Sequence, residues 1–584
     1  MAINDIFEKY NKEKHGAGIE EIMFIKSGVK CSNIKEAMLA TGFKKHEIDY
    51  ISNYAASANI DLRKSAAELG IGSQDKMSAA MAFSKGMPWL SSIKAKYLNL
   101  TNCKKYAIMT RFEQPLPPGI PIAFVDNVLI FAVSNIDNIS EIKMSLKNNG
   151  ISNDVIYCLT LESIIAMLYR REILDTESDV KKTIEKRDYD NVRPLLDGIL
   201  IHAAFHGASD IHGTSLPNGG LIELRLDGVK NLFVTLDTRF YRAIINIIIN
   251  ALGQPDFRMK VEGRLPEQNI PLALRGRFEF RVEVMATVFG PALTMRVFNL
   301  SGETTDIESL GFDDEDLIVL RKYANSGSGM VFAVGPTGSG KTTALYASMK
   351  IIDATRVSIQ SVENPAEMRV GIWRQHQLIH ESNMSEHEEW VEWNKGLLRT
   401  DPDVVLQGEV RDGKLLAAVL DMANTGHLVY TTLHADSAPL AIARIRQMRS
   451  SDGSPIDMDM FSSLTLGIIA LRLLRRLCDT CKEVDDNHEV ITKLEEFNFD
   501  STNIYKPCKN GCEMCHYTGY RGRLLIYEIL DFNRKLKDMI LNEKTRTIDI
   551  EDSMIPQKTL IGRAFKYVSN GLTGIDEVYR TLKR

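Results

Sequence analysis

The spacing of apolar and polar positions divides the chain into four successive segments. Residues 1–75 carry short helical patterns, such as GIEEIMFIK and NIKEAMLATG. From 76 to 178 the pattern is mixed, and PIAFVDNVLIFAVSN predicts two strands joined at Asp126 and Asn127, a residue pair suited to positive φ. We therefore expect an N-terminal helical region, whose role the pattern does not reveal, followed by a first small α/β domain.

A second α/β domain is predicted over residues 190–300. The charged stretch before it, ESDVKKTIEKRDYD (177–190), fits either a linker or a solvated helix. LLDGILIHAAFHG has the spacing of a helix, whereas LIELRLDG and FEFRVEVMATVFGPALTMRVFNL are typical of strands. From 301 to 584 short apolar strands alternate with helices, which indicates a parallel sheet. The predicted fold class is therefore α/β.

The composition and charge of the chain bear on where the protein is located and on which kinds of partner it binds. The 584 residues suggest three or four domains of roughly 150 residues, and the net charge of −5 does not favour nucleic acid as a partner. The N-terminus MAINDIFEKYNKEKHGAG has charges where a secretion signal needs an apolar core, and no later stretch reaches roughly 20 apolar residues. We expect a cytoplasmic protein without a membrane span.

The stretch GPTGSGKTT is the strongest chemical signal in the chain. It follows the apolar strand MVFAV (330–334), matches the pattern GxxxxGK[ST] and runs into the helical stretch TTALYASMKIID. Its backbone N–H groups can close around phosphates, Lys341 can reach the β and γ oxygens, and the Thr342 hydroxyl can bind Mg²⁺. The predicted nucleotide-binding residues are Gly335, Pro336, Thr337, Gly338, Ser339, Gly340, Lys341, Thr342 and Thr343.

Acidic residues follow two later strands, where hydrolysis of a bound nucleotide needs them. RVSIQSV (356–362) leads into Glu363 and Glu367, and DVVLQG (403–408) leads into Glu409. Carboxylates at neighbouring strand ends can hold Mg²⁺ through water and orient the attacking water. The alternative is that they are solvated acids without a catalytic role.

Two histidines flank a third strand, HLVYTTL (427–433). These are His427 and His434, and a histidine at the carboxyl end of a strand can sense or polarise a γ-phosphate. Taken alone, either histidine could instead be structural.

The cysteines are clustered, which indicates a metal site rather than disulfides in a cytoplasmic chain. CDTC and CEMC are two CxxC turns, so Cys478, Cys481, Cys512 and Cys515 can form a closed tetrahedral site for structural Zn²⁺. Cys508 is a fifth thiol in the same region. If this assignment is wrong, either Cys508 replaces one of the four ligands or all five cysteines remain free thiols.

Four motifs in this order resemble one family, the secretion ATPases of type II secretion and type IV pilus assembly (the GspE and PilB group). GPTGSGKTTALYAS resembles the family's Walker A segment, SVENPAE its Asp box, LLRTDPDVVLQGEVRD its Walker B segment and TGHLVYTTLHADSA its His box. HGASDIH (206–212) is similar to the family's second N-terminal domain, and GCEMCHYTGYRGR to its metal module, here at about 476–525. The resemblance covers about 76 to 584.

The resemblance implies a homohexamer in which a PAS-like N-terminal domain precedes a RecA-like P-loop ATPase domain (301–584) with a tetracysteine zinc module. It implies ATP bound between the two domains, with Mg²⁺. Arginines of the upstream domain would complete the site, and the matching positions are Arg258, Arg264 and Arg281. In this chain GQPDFRMKVEGR replaces the family's usual RxPQDG phrase, and Asn364 stands where an Asp is usual.

The predicted function is an ATP-driven motor for assembly of a type IV pilus. In the family the tetracysteine insertion accompanies assembly and secretion ATPases, whereas pilus retraction ATPases lack it. The implied partners are an inner-membrane platform protein and a cytoplasmic anchor, with peripheral membrane association through them. A type II secretion or conjugative-pilus ATPase is the alternative. From other classes, a nucleic-acid translocase and a nucleotide-binding regulator that does not hydrolyse ATP remain open.

Overall fold

The computed structural model describes the chain in two compact units, Met1–Glu303 and Thr304–Arg584. The description leaves out residues 1–30, 32, 91–118, 126–127, 152, 163, 166–167, 169–175, 190, 255–258, 300–305, 365, 379–385, 513–514, 516, 543 and 583–584, and the side chains of 125, 176–179 and 386–388. Several predicted features, including GIEEIMFIK and the turn at Asp126 and Asn127, lie outside the described residues.

Short capped helices begin the described part of the first unit. They are α1 (Ile34–Ala40), α2 (Lys45–Ala58), α3 (Leu62–Leu69) and α4 (Gln74–Ser84). Asn33, Asp61 and Ser73 each accept a backbone N–H at a helix start, which explains why α1, α3 and α4 begin where they do. The stretch NIKEAMLATG forms α1 as predicted.

A small three-stranded sheet follows these helices. Its elements are β1 (Gly119–Val125), β2 (Val128–Val133), α5 (Ile139–Asn148) and β3 (Asp154–Leu159). β1 and β2 are the two strands predicted within PIAFVDNVLIFAVSN; they pair antiparallel, and β3 pairs in parallel with β2. Their apolar side chains form a core of their own with α4 and α5.

A six-stranded antiparallel sheet completes the first unit. Its elements are α6 (Thr176–Glu185), α7 (Arg193–Phe205), β4 (Asp210–Leu216), β5 (Gly219–Leu226), β6 (Val229–Leu236), α8 (Thr238–Ala251), β7 (Lys260–Arg264), β8 (Phe278–Thr287) and β9 (Gly290–Asn299). The strand order is β6-β5-β4-β9-β8-β7. The charged stretch 177–190 is largely helical: α6 buries Val180 in the core that α7 and α8 form with the sheet. The structure therefore favours the helix over the linker.

The second unit is built on a seven-stranded sheet. Its strands are β10 (Gly329–Val334), β11 (Ile359–Glu363), β12 (Arg374–Gln377), β13 (Val404–Gln407), β14 (Leu428–Leu433), β15 (Thr465–Leu477) and β18 (Tyr520–Asp531). Their order in the sheet is β12-β11-β13-β14-β10-β15-β18. All neighbours pair in parallel except β15 and β18. In this sheet, β14 lies between the strand that enters the phosphate loop and the strand that leads to Glu409.

Helices cover both faces of this sheet. They are α9 (Asp314–Ala324), α10 (Lys341–Met349), α11 (Glu386–Leu397), α12 (Gly413–Asn424), α13 (Ala438–Gln447) and α14 (Met458–Leu464). Alternate residues of each strand enter two different cores, since successive side chains point to opposite faces. α10 packs in the core that contains Val331 and Tyr430, and α12 and α13 pack in the core that contains Phe332 and Val429.

The chain between β15 and β18 carries the cysteines, and helices follow the sheet. The insertion contains β16 (Glu483–Val484), α15 (His488–Glu496) and β17 (Tyr505–Lys506). The last helices are α16 (Arg534–Leu541), α17 (Thr547–Asp552), α18 (Leu560–Ser569) and α19 (Ile575–Leu582). Among the helices that the structure describes, none combines the length and the apolar character needed to cross a bilayer. The predicted α/β fold class is confirmed.

Candidate functional site

The phosphate loop joins β10 to α10 at the carboxyl edge of the parallel sheet. Gly335 has a φ of 153°, and a Cβ there would lie 2.4 Å from Ser339 Oγ and 2.7 Å from the carbonyl oxygen of Leu471. Gly340, which immediately precedes α10, has a φ of 91°, a conformation that favours glycine. The turn itself therefore requires glycine at these two positions of the motif.

The loop fits a phosphate ligand. Ser339 Oγ is buried and has no hydrogen-bond partner among the described residues. The N-terminus of α10 faces the same loop, and free helix N–H groups favour anions. A buried unpaired hydroxyl is costly unless a ligand or water satisfies it, so this loop is suited to bind phosphate oxygens.

Lys341 is the first residue of α10, and its ammonium group folds back onto the phosphate loop. Its Nζ donates to the carbonyl oxygens of Gly335 and Pro336, each at 2.9 Å. Burial lowers the pKa of Lys341, and the nearby carboxylates of Glu409 and Glu367 oppose that shift. The ammonium group is therefore held within the electrostatic reach of two of the predicted acids, where it can exchange loop carbonyls for phosphate oxygens.

Glu409 and His434 come together at the carboxyl ends of β13 and β14. His434 Nε2 lies 3.0 Å from Glu409 Oε1, and Arg411 Nε donates to Glu409 Oε2 at 3.0 Å. Val334 pairs with Leu433, so Gly335 and His434 follow at the same edge of the sheet. The structure therefore brings Lys341, Glu409 and His434 into one site.

Glu363 is at this edge too, but it is buried rather than solvated. Its Oε1 accepts hydrogen bonds from Tyr346 Oη at 2.7 Å and Ser361 Oγ at 2.8 Å. Burial raises the pKa of Glu363, while the hydrogen bonds from Tyr346, Ser361 and Gln375 oppose the rise and the charge of Glu367 adds to it. Its backbone packs against Gly408, the residue before Glu409. The Glu363 carboxyl is thus adjacent to the loop that carries Glu409. It is buried, whereas the sequence left open that it is a solvated acid.

His427 is not part of this site. The parallel register pairs Gly329 with Leu428, so His427 precedes β14 at the amino edge of the sheet. A six-residue strand at about 3.3 Å per residue separates it from the carboxyl edge by roughly 20 Å. His427 lies after the end of α12, and its Nδ1 is 2.9 Å from the carbonyl oxygen of Met422 in that helix. The sequence prediction for His427 is corrected here, because only carboxyl ends of parallel strands meet at the phosphate loop.

The three predicted arginines belong to the first unit. Arg264 Nη1 and Arg281 Nε both lie near the Glu279 carboxylate, at 3.4 Å and 3.1 Å, and the Arg281 guanidinium also stacks over Phe298. Arg258 lies outside the described residues. The two described arginines share one carboxylate on the sheet of their own unit, and a role in hydrolysis remains a prediction for all three.

The four cysteines of the two CxxC turns form a cluster with the geometry of a zinc site. Their sulfur atoms all lie within 4.8 Å of one another, with Cys478 to Cys512 at 3.7 Å and Cys481 to Cys515 at 3.8 Å. A tetrahedral site with Zn–S bonds of about 2.3 Å requires sulfur separations of about 3.8 Å. The N–H groups of Cys512 and Gly519 point at Cys515 Sγ, at 3.1 Å and 3.2 Å. This ligand set fits Zn²⁺, and Cys508 is not in the cluster.

Sequence reasoning missed three polar partners of the predicted acids: Arg411, Tyr346 and Gln375. Arg411 was visible within GEVRD, two residues after Glu409. Tyr346 occupies an apolar position of the helix after the phosphate loop, and a buried hydroxyl there implies a partner. Gln375 comes from β12, and no spacing in the sequence connects it with Glu363.

Comparisons with known proteins agree with these motifs. The family model described as type II/IV secretion system protein matches residues 185–580. The type IV pilus assembly ATPase TfpB of Acinetobacter baylyi is 30% identical over 66% of this chain and 65% of its own length. The type II secretion system ATPase E of Vibrio cholerae is 29% identical over 76% of this chain and 83% of its own length.

The chain spans less than two thirds of several curated relatives, namely 65% of the Acinetobacter protein and 55% and 64% of two others. Among solved structures, the X-ray structure of the Legionella pneumophila ATPase DotB matches with a TM-score of 0.49 and 18% identity, over 66% of this chain and 94% of that one. The family assignment rests on the sequence matches.

Proposed function

This chain belongs to the type II/IV secretion system protein family, and from that premise we propose that it is an ATPase whose hydrolysis cycle drives assembly of a type IV pilus. The observation that carries the proposal is the convergence of Lys341, Glu409 and His434 beside a glycine-bounded phosphate loop. A phosphate cradle, a cation and a carboxylate at adjoining strand ends are the groups that phosphoryl transfer to water requires.

In the proposed reaction, the loop N–H groups and Lys341 hold the β and γ phosphates of ATP. Thr342, next to Lys341, would hold Mg²⁺ with its hydroxyl, and the ion would neutralise part of the negative charge of the phosphates. A water oxygen attacks the γ-phosphorus, the bond from that phosphorus to the β–γ bridging oxygen breaks, and ADP and phosphate leave. The proton of the water passes to a carboxylate at this edge.

Glu363 and Glu409 have different roles in the proposed reaction. Glu363 is the proton acceptor, because its burial makes it more basic than an ordinary glutamate. Glu409 is held by His434 and Arg411, so it would orient the attacking water and help to hold Mg²⁺, and it is not the proton acceptor in this proposal. The His434 side chain, beside Gly335 in the register, is the group placed to respond to a γ-phosphate.

We further propose that the ATPase works as a homohexamer in the cytoplasm, peripheral to the inner membrane of a bacterium. The resemblance supports this arrangement together with a platform protein and a cytoplasmic anchor as partners. A relative named for type II secretion matches about as well as one named for pilus assembly, so a secretion motor with the same chemistry is the second candidate. The cysteine cluster favours a pilus assembly motor or a secretion motor over a retraction motor, because the resemblance associates that cluster with the first two.

The chemistry is tested by phosphate release from ATP, using the full chain and two variants. Lys341→Ala and Glu409→Gln should each reduce the rate roughly 100-fold or more, because they remove preorganised charge at the reacting phosphate. Lys395→Ala and Glu392→Gln are matched controls, since both side chains are about two thirds exposed on α11. Their rates should equal that of the wild type.

The other classes predict different results in the same assay. A non-hydrolysing regulator would release no phosphate above the level of Lys341→Ala. A nucleic-acid translocase would be stimulated by single-stranded DNA, whereas the proposed motor would not be.

A further inference from the structure

Tyr346 joins the helix of the phosphate loop to the buried carboxyl of Glu363. It lies five residues after Lys341 on α10, and its side chain is 1% exposed. Its hydroxyl donates to Glu363 Oε1 at 2.7 Å. The residue therefore connects the helix that begins at the phosphate loop to one oxygen of the proposed proton acceptor.

Gln375 fixes this hydroxyl from the other side. Its Nε2 donates to Tyr346 Oη at 2.8 Å and to the carbonyl oxygen of Met368 at 2.8 Å, while its Oε1 accepts the N–H of Val370 at 2.7 Å. The Tyr346 ring also stacks on Trp373, with ring centroids 5.2 Å apart. The loop between β11 and β12 is thereby held against α10. Tyr346 Oη also lies 3.3 Å from the carbonyl oxygen of Met368, so the contact with Glu363, at 2.7 Å, is the shorter of its two donor contacts.

A second tyrosine in the same core provides a comparison, because it is buried without such partners among the described residues. Tyr430 on β14 belongs to the same core and is 0% exposed, yet its hydroxyl has no hydrogen-bond partner among the residues that the structure describes. The contacts of Tyr346 are thus specific to its position beside Glu363. Hydrogen bonds to a carboxylate are among the strongest in proteins, so this contact can fix the orientation of the acid.

We propose that Tyr346 is a positioning residue for ATP hydrolysis: its hydroxyl fixes Glu363 Oε1, so that α10 sets where the carboxylate stands when the phosphate loop is filled. This inference rests on the proposed function, and it assigns Tyr346 no contact with nucleotide. Loss of the hydroxyl should therefore slow turnover without weakening nucleotide binding.

The same geometry predicts an effect on the pH dependence of turnover. The titratable groups that act on Glu363 are Tyr346 on α10 and Glu367 in the loop after β11, and its neutral partners are Ser361 and Gln375. The Tyr346 hydrogen bond opposes the burial that raises the pKa of Glu363, so its removal should raise that pKa further. A proton acceptor must be ionised to act, and the acidic limb of the kcat profile should therefore move to higher pH.

The test compares Tyr346→Phe with Tyr430→Phe in the full chain. Each substitution removes one hydroxyl from the same core, but only Tyr346 uses it. For Tyr346→Phe we expect kcat to fall roughly 10-fold, as for loss of a hydrogen bond to a charged group, with KM and ADP affinity unchanged. Tyr430→Phe should retain the wild-type kcat and pH profile.

Three outcomes would overturn the inference. The first is a Tyr346→Phe variant with the kcat and acidic limb of the wild type. The second is a loss of ADP affinity or melting temperature that accounts for the lower kcat, which would make the role structural. The third is an equal effect of Tyr430→Phe. If the wild type released no phosphate above the level of Lys341→Ala, the proposed function would fail first and this inference with it.

Discussion

At the scale of single residues, one buried carboxylate outside the reaction holds two helices to the sheet. Glu528 on β18 is 4% exposed, and its two oxygens accept the N–H groups of Ala438 at 2.8 Å and Leu560 at 3.1 Å. These are the first residues of α13 and α18, so one side chain caps two helix starts. Burial raises the pKa of Glu528, and the two N–H donors oppose the rise.

Replacing Glu528 with alanine should lower the melting temperature, because it leaves two buried N–H groups unsatisfied at roughly 1–3 kcal/mol each. The raised pKa means that the folded chain keeps a proton that the unfolded chain has lost. The contribution of Glu528 is therefore full below the unfolded pKa of about 4.5 and declines as pH rises through the folded pKa. The difference in melting temperature between wild type and variant should therefore be largest at about pH 4.5 and should narrow as the pH is raised above it.

Thermal melting at a series of pH values from about 4.5 upward measures this difference. Glu392→Ala is the control, because that side chain is 67% exposed on α11. A gap that widens with rising pH would contradict the assignment.

At the scale of elements, the phosphate loop and its strands could be predicted from sequence, whereas the surroundings of the acids could not. The apolar run before GPTGSGKTT and the glycines within it determine a strand, a turn and a helix locally. His427 was placed wrongly because both ends of HLVYTTL carry a histidine, and only the parallel register shows which end meets the loop. The burial of Glu363 was invisible because Tyr346 and Gln375 come from two other elements.

The cysteine insertion was predictable because two CxxC turns determine their own geometry. Its two ends are joined at β15 and β18 by the N–H of Cys478, which donates to the carbonyl oxygen of Gly519. Lys482 Nζ donates from the insertion to the carbonyl oxygen of Gly571, after α18, at 3.1 Å. Loss of the metal should therefore disturb the ends of β15 and β18 and not only the insertion.

We expect the purified chain to hold about one equivalent of zinc, measured by elemental analysis. Cys512→Ser should lose it and melt at a lower temperature, because an S₄ site cannot close with three sulfurs. Cys508→Ser is the matched control and should keep the metal, since Cys508 lies outside the cluster. Equal zinc loss in both variants, or less than about half an equivalent in the wild type, would contradict the ligand assignment.

At the scale of the whole molecule, the resemblance to secretion and pilus assembly ATPases is confirmed by the family match over residues 185–580. Within the second unit, the Walker A segment, the Asp box, the Walker B segment and His434 of the His box meet at the carboxyl edge of one sheet. The motifs do not identify the cargo, because the residues that bind a platform protein need not differ between pilus and secretion machines in any motif. The assembly motor therefore remains a proposal that must be tested in cells.

The most direct test is to replace the chromosomal gene with Lys341→Ala in the organism of origin, image surface fibres and assay secreted protein in the same cultures. Lys395→Ala is the control, and both proteins should be present at wild-type levels. We predict that Lys341→Ala abolishes the fibres and that Lys395→Ala leaves them intact. Normal fibres with lost secreted protein would favour the secretion candidate, surplus fibres would indicate a retraction motor, and no change in either would contradict the proposed function.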